Sequence, residues 1–96
     1  MKLLTKALRN KLPPLHATEG EEDPLIVCKF FHARSQWTWY AVEFDGEDLF
    51  FGLVRGHFTE LGYFSLRELE AFRDSLGLGI ERDLHFKPRR LSEVQP

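Results

Sequence analysis

The sequence is poor in cysteine, in net charge and in long hydrophobic runs, and each shortage excludes a class of protein. Cys28 is the single cysteine in 96 residues, which excludes an intrachain disulfide, a cysteine-based zinc site and a CxxC redox pair. The 13 Lys and Arg face 15 Asp and Glu, so the chain has neither the basic excess of a general nucleic-acid binder nor the acidic excess of a DNA mimic. Apolar stretches such as residues 49–54 are far shorter than the ~20 residues of a membrane span, so we expect no transmembrane helix.

Targeting and catalytic motifs are also missing. No sustained apolar core follows Lys2 before charges return at Arg9 and Lys11, so the signal-peptide pattern is absent and a cytoplasmic protein is expected. The motifs GxxxxGK(S/T), GxGxxG and GxSxG do not occur, and the four histidines form no HxxxH or HExxH pair. We therefore expect a non-enzymatic protein without a cofactor or a metal.

The composition is that of one small folded domain. Hydrophobic residues make up 43% of the chain and aromatic residues 14%, enough for a single modest core, so we expect one domain over residues 1–96. Residues 1–14 predict an N-terminal helix, because Leu4 begins a leucine series at i, i+4 and i+8, Thr5 is a candidate N-cap and a Pro-Pro pair ends the pattern. The acidic stretch after this helix is predicted to be an exposed loop.

Four segments rich in β-branched and aromatic residues, each bounded by turn-forming residues, are predicted to be strands. They are residues 25–33, 37–45, 48–56 and 58–64. Asp45 and Gly46 separate the second segment from the third, where glycine can take the positive φ that a tight hairpin needs. Together these segments predict an antiparallel meander over residues 25–64.

A second helix is predicted over residues 65–77. Ser65 and Glu68 have the spacing of a capping box. The residues that recur at helical spacing and predict an apolar face are Leu66, Leu69, Phe72 and Leu76, and Gly77 is predicted to end the helix. A C-terminal extended segment and tail, residues 78–96, complete the domain. The predicted fold class is α+β: a four- or five-stranded antiparallel meander sheet with an N-terminal helix and a second helix after the fourth strand.

The predicted strands are apolar on both faces, so one solvated face is not expected. In the second strand, alternation predicts one face with Trp37, Trp39, Ala41 and Glu43 and the other with Thr38, Tyr40, Val42 and Phe44. In the first strand, it predicts one face with Leu25, Val27 and Phe31 and the other with Ile26, Cys28 and Phe30. Two interpretations remain open. Either both faces are core, or an aromatic patch around Trp37 and Trp39 stays exposed as a partner or self-association surface.

The C-terminal segment carries further candidate residues. Glu81, Asp83 and His85 would share one side of an extended segment, as a metal or acid–base cluster requires, although charges on a strand edge are ordinary. The bases of this segment are Arg82, Lys87, Arg89 and Arg90. With four more bases in residues 1–11, they could form a basic patch beside aromatic strands, as in single-strand nucleic-acid binders, although the acidic hairpin would repel phosphate.

Several short stretches resemble a bacterial family of unknown function. They are MKLLTK at residues 1–6, KLPPL at 11–15, WTWYAVE at 37–43, LFFGLV at 49–54, ELGYFSL at 60–66 and IERDLHFKP at 80–88. The family consists of small proteins frequent on plasmids, phages and other mobile elements, and some relatives are associated with anti-CRISPR inhibition of type II RNA-guided nucleases. The resemblance also implies an aromatic residue at the position of His85, which argues against a required imidazole there.

The residues and the resemblance together predict a non-catalytic binding protein of a mobile genetic element. Its expected partner is a host defence protein, specifically a type II CRISPR effector. The candidate partner-binding residues are Trp37, Trp39, Glu81, Arg82, Asp83, Lys87, Arg89 and Arg90. The alternatives are a nucleic-acid-binding accessory factor of plasmid maintenance and, less favoured, a metal-dependent enzyme.

Overall fold

The computed structural model describes residues 2–94. Over this range the chain forms two short α-helices, seven β-strands and a 3-10 helix at Leu91–Glu93. The helices are α1, Lys6–Lys11, and α2, Leu66–Ala71. The strands are β1 Leu25–Ile26, β2 Cys28–His32, β3 Thr38–Phe44, β4 Leu49–Arg55, β5 Thr59–Ser65, β6 Ile80–Arg82 and β7 Arg89–Arg90. Parts of the predicted segments 1–14 and 78–96, namely residue 1 and residues 95–96, lie outside the described residues.

Five of the strands form one antiparallel sheet in the order β5-β4-β3-β2-β6. Strands β2 to β5 are consecutive neighbours, which confirms the predicted meander, and β6 adds a fifth strand beside β2. The β3–β4 hairpin turns at Gly46, whose φ is +92°. With one helix before the meander and one after its last strand, the molecule has the predicted α+β class.

The first predicted strand, residues 25–33, is in fact two strands. Val27 interrupts it and donates its N–H to the carbonyl of Ala41 at 2.9 Å. As a result β1 pairs with β7 in a separate two-stranded sheet, while β2 pairs with β3 and β6. Ile26 then packs in a different core cluster from Cys28 and Phe30. The prediction that these three side chains share one face is therefore wrong.

A second irregularity lies in β3. Its register against β4 shifts between Ala41 and Glu43, which marks a β-bulge. Because an extra residue reverses the alternation of the side chains that follow it, Phe44 packs in the cluster of Ala41 and not in that of Tyr40. The predicted faces hold from Trp39 to Val42. They are wrong at Phe44 and at Glu43, which lines a cavity on the same side as Val42.

Apolar side chains are buried on both faces of the sheet. On the face that we call the helix face, the larger cluster includes Leu3, Leu4, Leu12, Phe30, Phe44, Phe50, Phe64, Leu66, Leu69 and Ile80. On the opposite face, the smaller cluster consists of Ile26, Tyr40, Val42, Leu53 and Leu91. The sheet is thus a layer between two cores, as strands that are apolar on both faces require.

Helix α1 is shorter than predicted but begins at the predicted cap. Thr5 Oγ1 accepts a hydrogen bond from the Leu8 N–H at 3.2 Å. Leu4 and Leu12, which flank the helix, are buried in the larger cluster, and Leu8 packs against it. The leucine series therefore docks the N-terminal segment on the helix face.

Helix α2 also begins as predicted and ends early. Ser65 Oγ accepts a hydrogen bond from the Glu68 N–H at 3.2 Å, which confirms the N-cap. The helix nevertheless stops at Ala71, and Phe72 already has extended backbone angles. The predicted end at residue 77 is wrong.

Asp74 gives a physical reason for the early end of α2. Its Oδ1 accepts the backbone N–H groups of Leu76 at 2.8 Å and Leu78 at 2.9 Å, a local alternative to the helical pattern. Gly77 completes this loop with a φ of +80°. Phe72 and Leu76, which the helical spacing placed on the apolar face, are therefore exposed.

Candidate binding groove

A groove of about 360 Å³ opens on the helix face, bordered by the sheet and α2. Its lining residues are His32, Ser35, Trp37, Trp39, Phe64, Ser65, Glu68, Leu69, Phe72 and Ile80. Most of these side chains are apolar or aromatic. The volume is at the low end of the roughly 300–1,000 Å³ typical of ligand pockets, which suits a single apolar side chain of a partner better than a large cofactor.

Trp37 and Trp39 form one side of this groove. Their ring centroids are 5.8 Å apart and their planes differ by 27°, so the indoles are stacked. The ring of His57 meets Trp37 edge-on at 5.6 Å, and the Trp37 ring also lies over Gly56. Although it is held by three neighbours, Trp37 remains 36% exposed. The groove therefore presents a fixed aromatic surface to solvent.

The β2–β3 turn positions the tryptophan pair. His32 donates its N–H to the Trp37 carbonyl at 3.1 Å, and Trp37 donates its N–H to Ser35 Oγ at 3.2 Å. Trp37 directly precedes β3 and stands two residues before Trp39, so both side chains point to the same face of the sheet. The predicted common face of the two indoles is confirmed.

Phe72 gives the groove a second aromatic surface. Its ring meets that of His32 edge-on at a centroid distance of 5.3 Å, and the side chain is 43% exposed. Phe72 is not among the predicted site residues, because the helical spacing placed it on the apolar face of α2. The available signal was Asp74, since an aspartate two residues after an aromatic residue can end a helix there by bonding to the backbone beyond it.

A polar network ties the rim of the groove together. His32 Nδ1 lies 2.9 Å from Ser35 Oγ, and His32 Nε2 lies 2.9 Å from Asp74 Oδ2. Arg34 Nη1 is 3.4 Å from the same carboxylate oxygen. The hydrogen bond from the backbone of Leu78, followed by the contact with His32, lowers the pKa of Asp74 to about 2 against the opposing effect of burial. Asp74 is therefore ionised at neutral pH.

These three side chains are connected in the order of a serine–histidine–aspartate relay, but their other contacts are those of a turn. Ser35 follows His32 by three residues and also accepts the N–H of Trp37, the pattern of a serine that closes a turn. Asp74 uses its other oxygen for the backbone of its own loop. We interpret the network as a device that joins the β2–β3 turn to the loop after α2.

The charged residues predicted for the site lie outside the groove lining. Glu81 is exposed on β6 and, by alternation, points to the face opposite Ile80, which does line the groove. Arg82 Nη1 donates to the carbonyls of Lys2 at 2.7 Å and Leu3 at 2.8 Å. Arg82 therefore joins β6 to the N-terminal segment.

Asp83 ends β6 and turns the chain. Its Oδ1 accepts the N–H of His85 at 2.9 Å, and its Oδ2 lies 3.6 Å from Lys29 Nζ. Because β6 stops at Arg82, the extended segment that would align Glu81, Asp83 and His85 is not formed. Within residues 2–94, no group of three or more His, Cys, Asp or Glu side chains could hold a metal ion.

The last predicted site residues belong to the small β1–β7 sheet and the link before it. The guanidinium carbon of Arg89 lies 5.6 Å from the centroid of the Phe86 ring. Arg90 donates its N–H to Glu93 Oε1 at 2.7 Å, and Lys87 is exposed. The structure thus brings Trp37 and Trp39 together and places the C-terminal candidates elsewhere on the surface.

The opposite face has a smaller cavity of about 270 Å³ beside Glu43. The Glu43 carboxylate is 3% exposed and accepts the N–H of His16 at 2.8 Å, the N–H of Thr18 at 2.8 Å and the Thr18 hydroxyl at 2.5 Å. Burial acts to raise the pKa of Glu43, but the bonds from Thr18 and His16 together lower it. Glu43 therefore anchors the acidic loop to the sheet.

The fold and the groove define a class of protein: a small α+β domain with a five-stranded antiparallel sheet and an aromatic groove on its helix face. The chain belongs to the family described as "Protein of unknown function (DUF2958)", which matches residues 3–94. The expected membership of an uncharacterised family of small proteins is thereby confirmed. No curated protein and no solved structure matches the chain. In the part of the chain that the structure describes, no helix is long and apolar enough to cross a membrane.

Proposed function

We propose that this chain is a non-catalytic binding protein whose groove holds an apolar side chain of a protein partner. The observation that carries the proposal is the stacked Trp37–Trp39 pair, which is fixed by Gly56 and His57 and yet open to solvent. Rigid exposed tryptophans are typical of the energetic centres of protein interfaces, because they bury a large area with little loss of side-chain freedom.

The exposed parts of two groove aromatics limit the binding free energy that the groove can contribute. Trp37 is 36% exposed and Phe72 is 43% exposed. Since full burial of a large aromatic side chain stabilises by roughly 2–3 kcal/mol, completing the burial of both rings contributes on the order of 2 kcal/mol. The groove therefore supplies an anchor, and a stable complex needs further contacts around it.

We propose further that the protein acts in the cytoplasm on behalf of a mobile genetic element, as a counter-defence inhibitor of a host defence protein. A type II RNA-guided nuclease is the specific partner in this proposal. The resemblance of the sequence to small mobile-element proteins supports this partner. The exposed charges of the C-terminal segment, Glu81, Lys87 and Arg89, lie outside the groove, so in this proposal they would contact the partner on a second surface.

A nucleic-acid-binding factor is the second candidate, because a stacked aromatic pair is also a platform for an unpaired base. Two carboxylates weigh against it. Glu68 lines the groove and Asp74 lies at its rim, and both would repel a phosphate backbone that followed the bases. The electrostatics of the groove therefore favour a protein partner.

The experiment combines the purified chain with a purified type II effector bound to its guide RNA. We expect co-elution on size exclusion and slower cleavage of target DNA. Trp37→Ala and Phe72→Ala should each weaken binding about tenfold or more, as expected for central interface aromatics. Leu84→Ala removes an exposed leucine that does not line the groove, so this control variant should bind like the wild type.

The partner, the contact surface and the class of ligand can each be excluded by a different outcome. Cleavage at the normal rate with no co-elution would exclude the nuclease as partner. Retention of full affinity by Trp37→Ala and Phe72→Ala would exclude the groove as the contact surface. Binding of short RNA or DNA oligomers that is lost in Trp37→Ala would establish the second candidate in place of the first.

A further inference from the structure

The two edge strands of the five-stranded sheet differ in how well they are protected against pairing with another chain. Strand β6 is three residues long, and its Arg82 side chain donates to the carbonyls of Lys2 and Leu3. Strand β5, at the other edge, runs for seven residues and contains neither lysine nor proline. Short strands, lysine and proline are the usual means of preventing an edge from pairing with another chain. The β5 edge has none of these protections.

The outward backbone groups of β5 belong to its odd-numbered residues. At one end Gly56 donates its N–H to the Phe58 carbonyl at 3.0 Å, and at the other Leu66 donates to the Asp48 carbonyl at 2.8 Å. The pairing of β4 with β5 between these points runs without a register shift, so the even-numbered residues bond to β4. The residues that face outward are Thr59, Leu61, Tyr63 and Ser65. Within residues 2–94, no backbone hydrogen bond reaches the outward N–H and C=O groups of Thr59, Leu61 and Tyr63. Ser65 differs because it is the N-cap of α2, so its carbonyl accepts the first hydrogen bond of that helix.

We propose that β5 pairs antiparallel with β5 of a second copy of this chain, about a two-fold axis at Gly62. This register overlaps all seven residues of both strands. It also places Leu61 and Tyr63 of the second copy in a hydrogen-bonded pair, with Thr59 across from Ser65 of the second copy. The result is a continuous ten-stranded sheet across the dimer.

The side chains of β5 are complementary in this register. Leu61 is 50% exposed and Tyr63 is 52% exposed, and each would pack across from the other type of residue on the second copy. Glu60 is the one charged residue of β5 and lies across from Phe64 of the second copy, so no like charges face each other. At the axis, Gly62 brings no side chain, and nothing lies within 4 Å of the place of its missing Cβ. The close spacing of a non-hydrogen-bonded pair is therefore available there.

Sedimentation velocity over a wide range of protein concentration tests this proposal. Two double variants with the same positions changed are compared with the wild type. L61K/Y63E places opposite charges across from each other in the proposed register, and L61K/Y63K places like charges there. We expect dimers for the wild type and L61K/Y63E, and for L61K/Y63K a dimer dissociation constant raised about tenfold or more.

The controls separate pairing from folding. Leu61 and Tyr63 are half exposed, so neither double variant should disturb the core, and far-UV circular dichroism checks this. Leu84→Lys introduces the same charge at an exposed leucine away from β5 and should dimerise like the wild type. Trp37→Ala should also dimerise normally, so the dimer and the groove can fail independently.

Three results would overturn the proposal. The first is a wild-type monomer at every concentration, and the second is equal dimerisation of the two double variants. The third is a wild-type dimer that neither double variant forms. That result would exclude the register, because only pairing of position 61 with position 63 gives L61K/Y63E an attractive contact.

Discussion

A Cβ atom on Gly56 would lie 2.2 Å from two ring carbons of Trp37, so the indole occupies the space that any larger residue at position 56 needs. We predict that Gly56→Ala displaces Trp37 and breaks its stack with Trp39. Because Trp37 is 36% exposed, its displaced ring can move into solvent, so the fold should survive at a cost of about 1 kcal/mol, the value of an aromatic pair. Near-UV circular dichroism should lose the signal of the coupled indoles.

The matched control for this variant is Gly20→Ala, because a Cβ at Gly20 would meet nothing within 4 Å. It should leave the near-UV spectrum unchanged. A Gly56→Ala spectrum identical to that of the wild type would show that Gly56 does not position Trp37. Partner affinity should fall in parallel with the spectral change, because the proposed anchor is the fixed indole pair.

We predict that the Glu43 carboxylate stabilises the loop at residues 16–18. Its buried carboxylate accepts two bonds from Thr18 and one from His16. Glu43→Ala leaves those donors without their acceptor, and we expect a loss of about 2 kcal/mol in the free energy of unfolding, measured with urea. Glu43→Gln, which keeps one carbonyl oxygen, should lose less. Glu47→Gln at an exposed position is the control, and an equal effect of all three substitutions would contradict the prediction.

The features that could be predicted from the sequence are those with local causes. The caps at Thr5 and Ser65 each need one hydroxyl and one nearby amide, and both are where the sequence places them. The meander follows from hydrophobic runs separated by turn residues such as Gly46. Trp37 and Trp39 share a face because they are two residues apart at the start of an extended strand, before any irregularity.

The features that could not be predicted depend on contacts far along the chain. Val27 leaves the first strand to bond with Ala41, and no local signal marks that break. The bulge before Phe44 likewise appears only when β3 meets β4. The groove forms because α2 ends early. This early end exposes Phe72 and allows the Asp74 carboxylate to contact the ring of His32, which lies 42 residues earlier in the chain. The sequence therefore indicates the tryptophan side of the groove but not the Phe72 side.

Cys28 should be unreactive in the native protein. The thiol is 3% exposed in β2, and burial raises its pKa to about 12, more than the nearby Arg82 lowers it. Since the thiolate is the reactive form, Ellman's reagent should label Cys28 at the rate of unfolding and label it fully in urea. A short peptide with the same cysteine sequence gives the reference rate. Rapid stoichiometric labelling of the native protein would show that the core opens around β2.

Asp74 should make the groove sensitive to acid. Its pKa is lowered from 3.8 to about 2 by the backbone of Leu78 and by His32, so folding favours the charged form. This contribution to stability is complete above the ordinary value of 3.8 and is lost as the pH falls through about 2. We expect Asp74→Asn to lower the melting temperature at neutral pH, with a difference from the wild type that shrinks as the pH approaches 2. A difference that is constant across this range would mean that the loop depends on the hydrogen bonds of residue 74 and not on its charge. The groove, whose rim this carboxylate joins, would then keep its shape in acid.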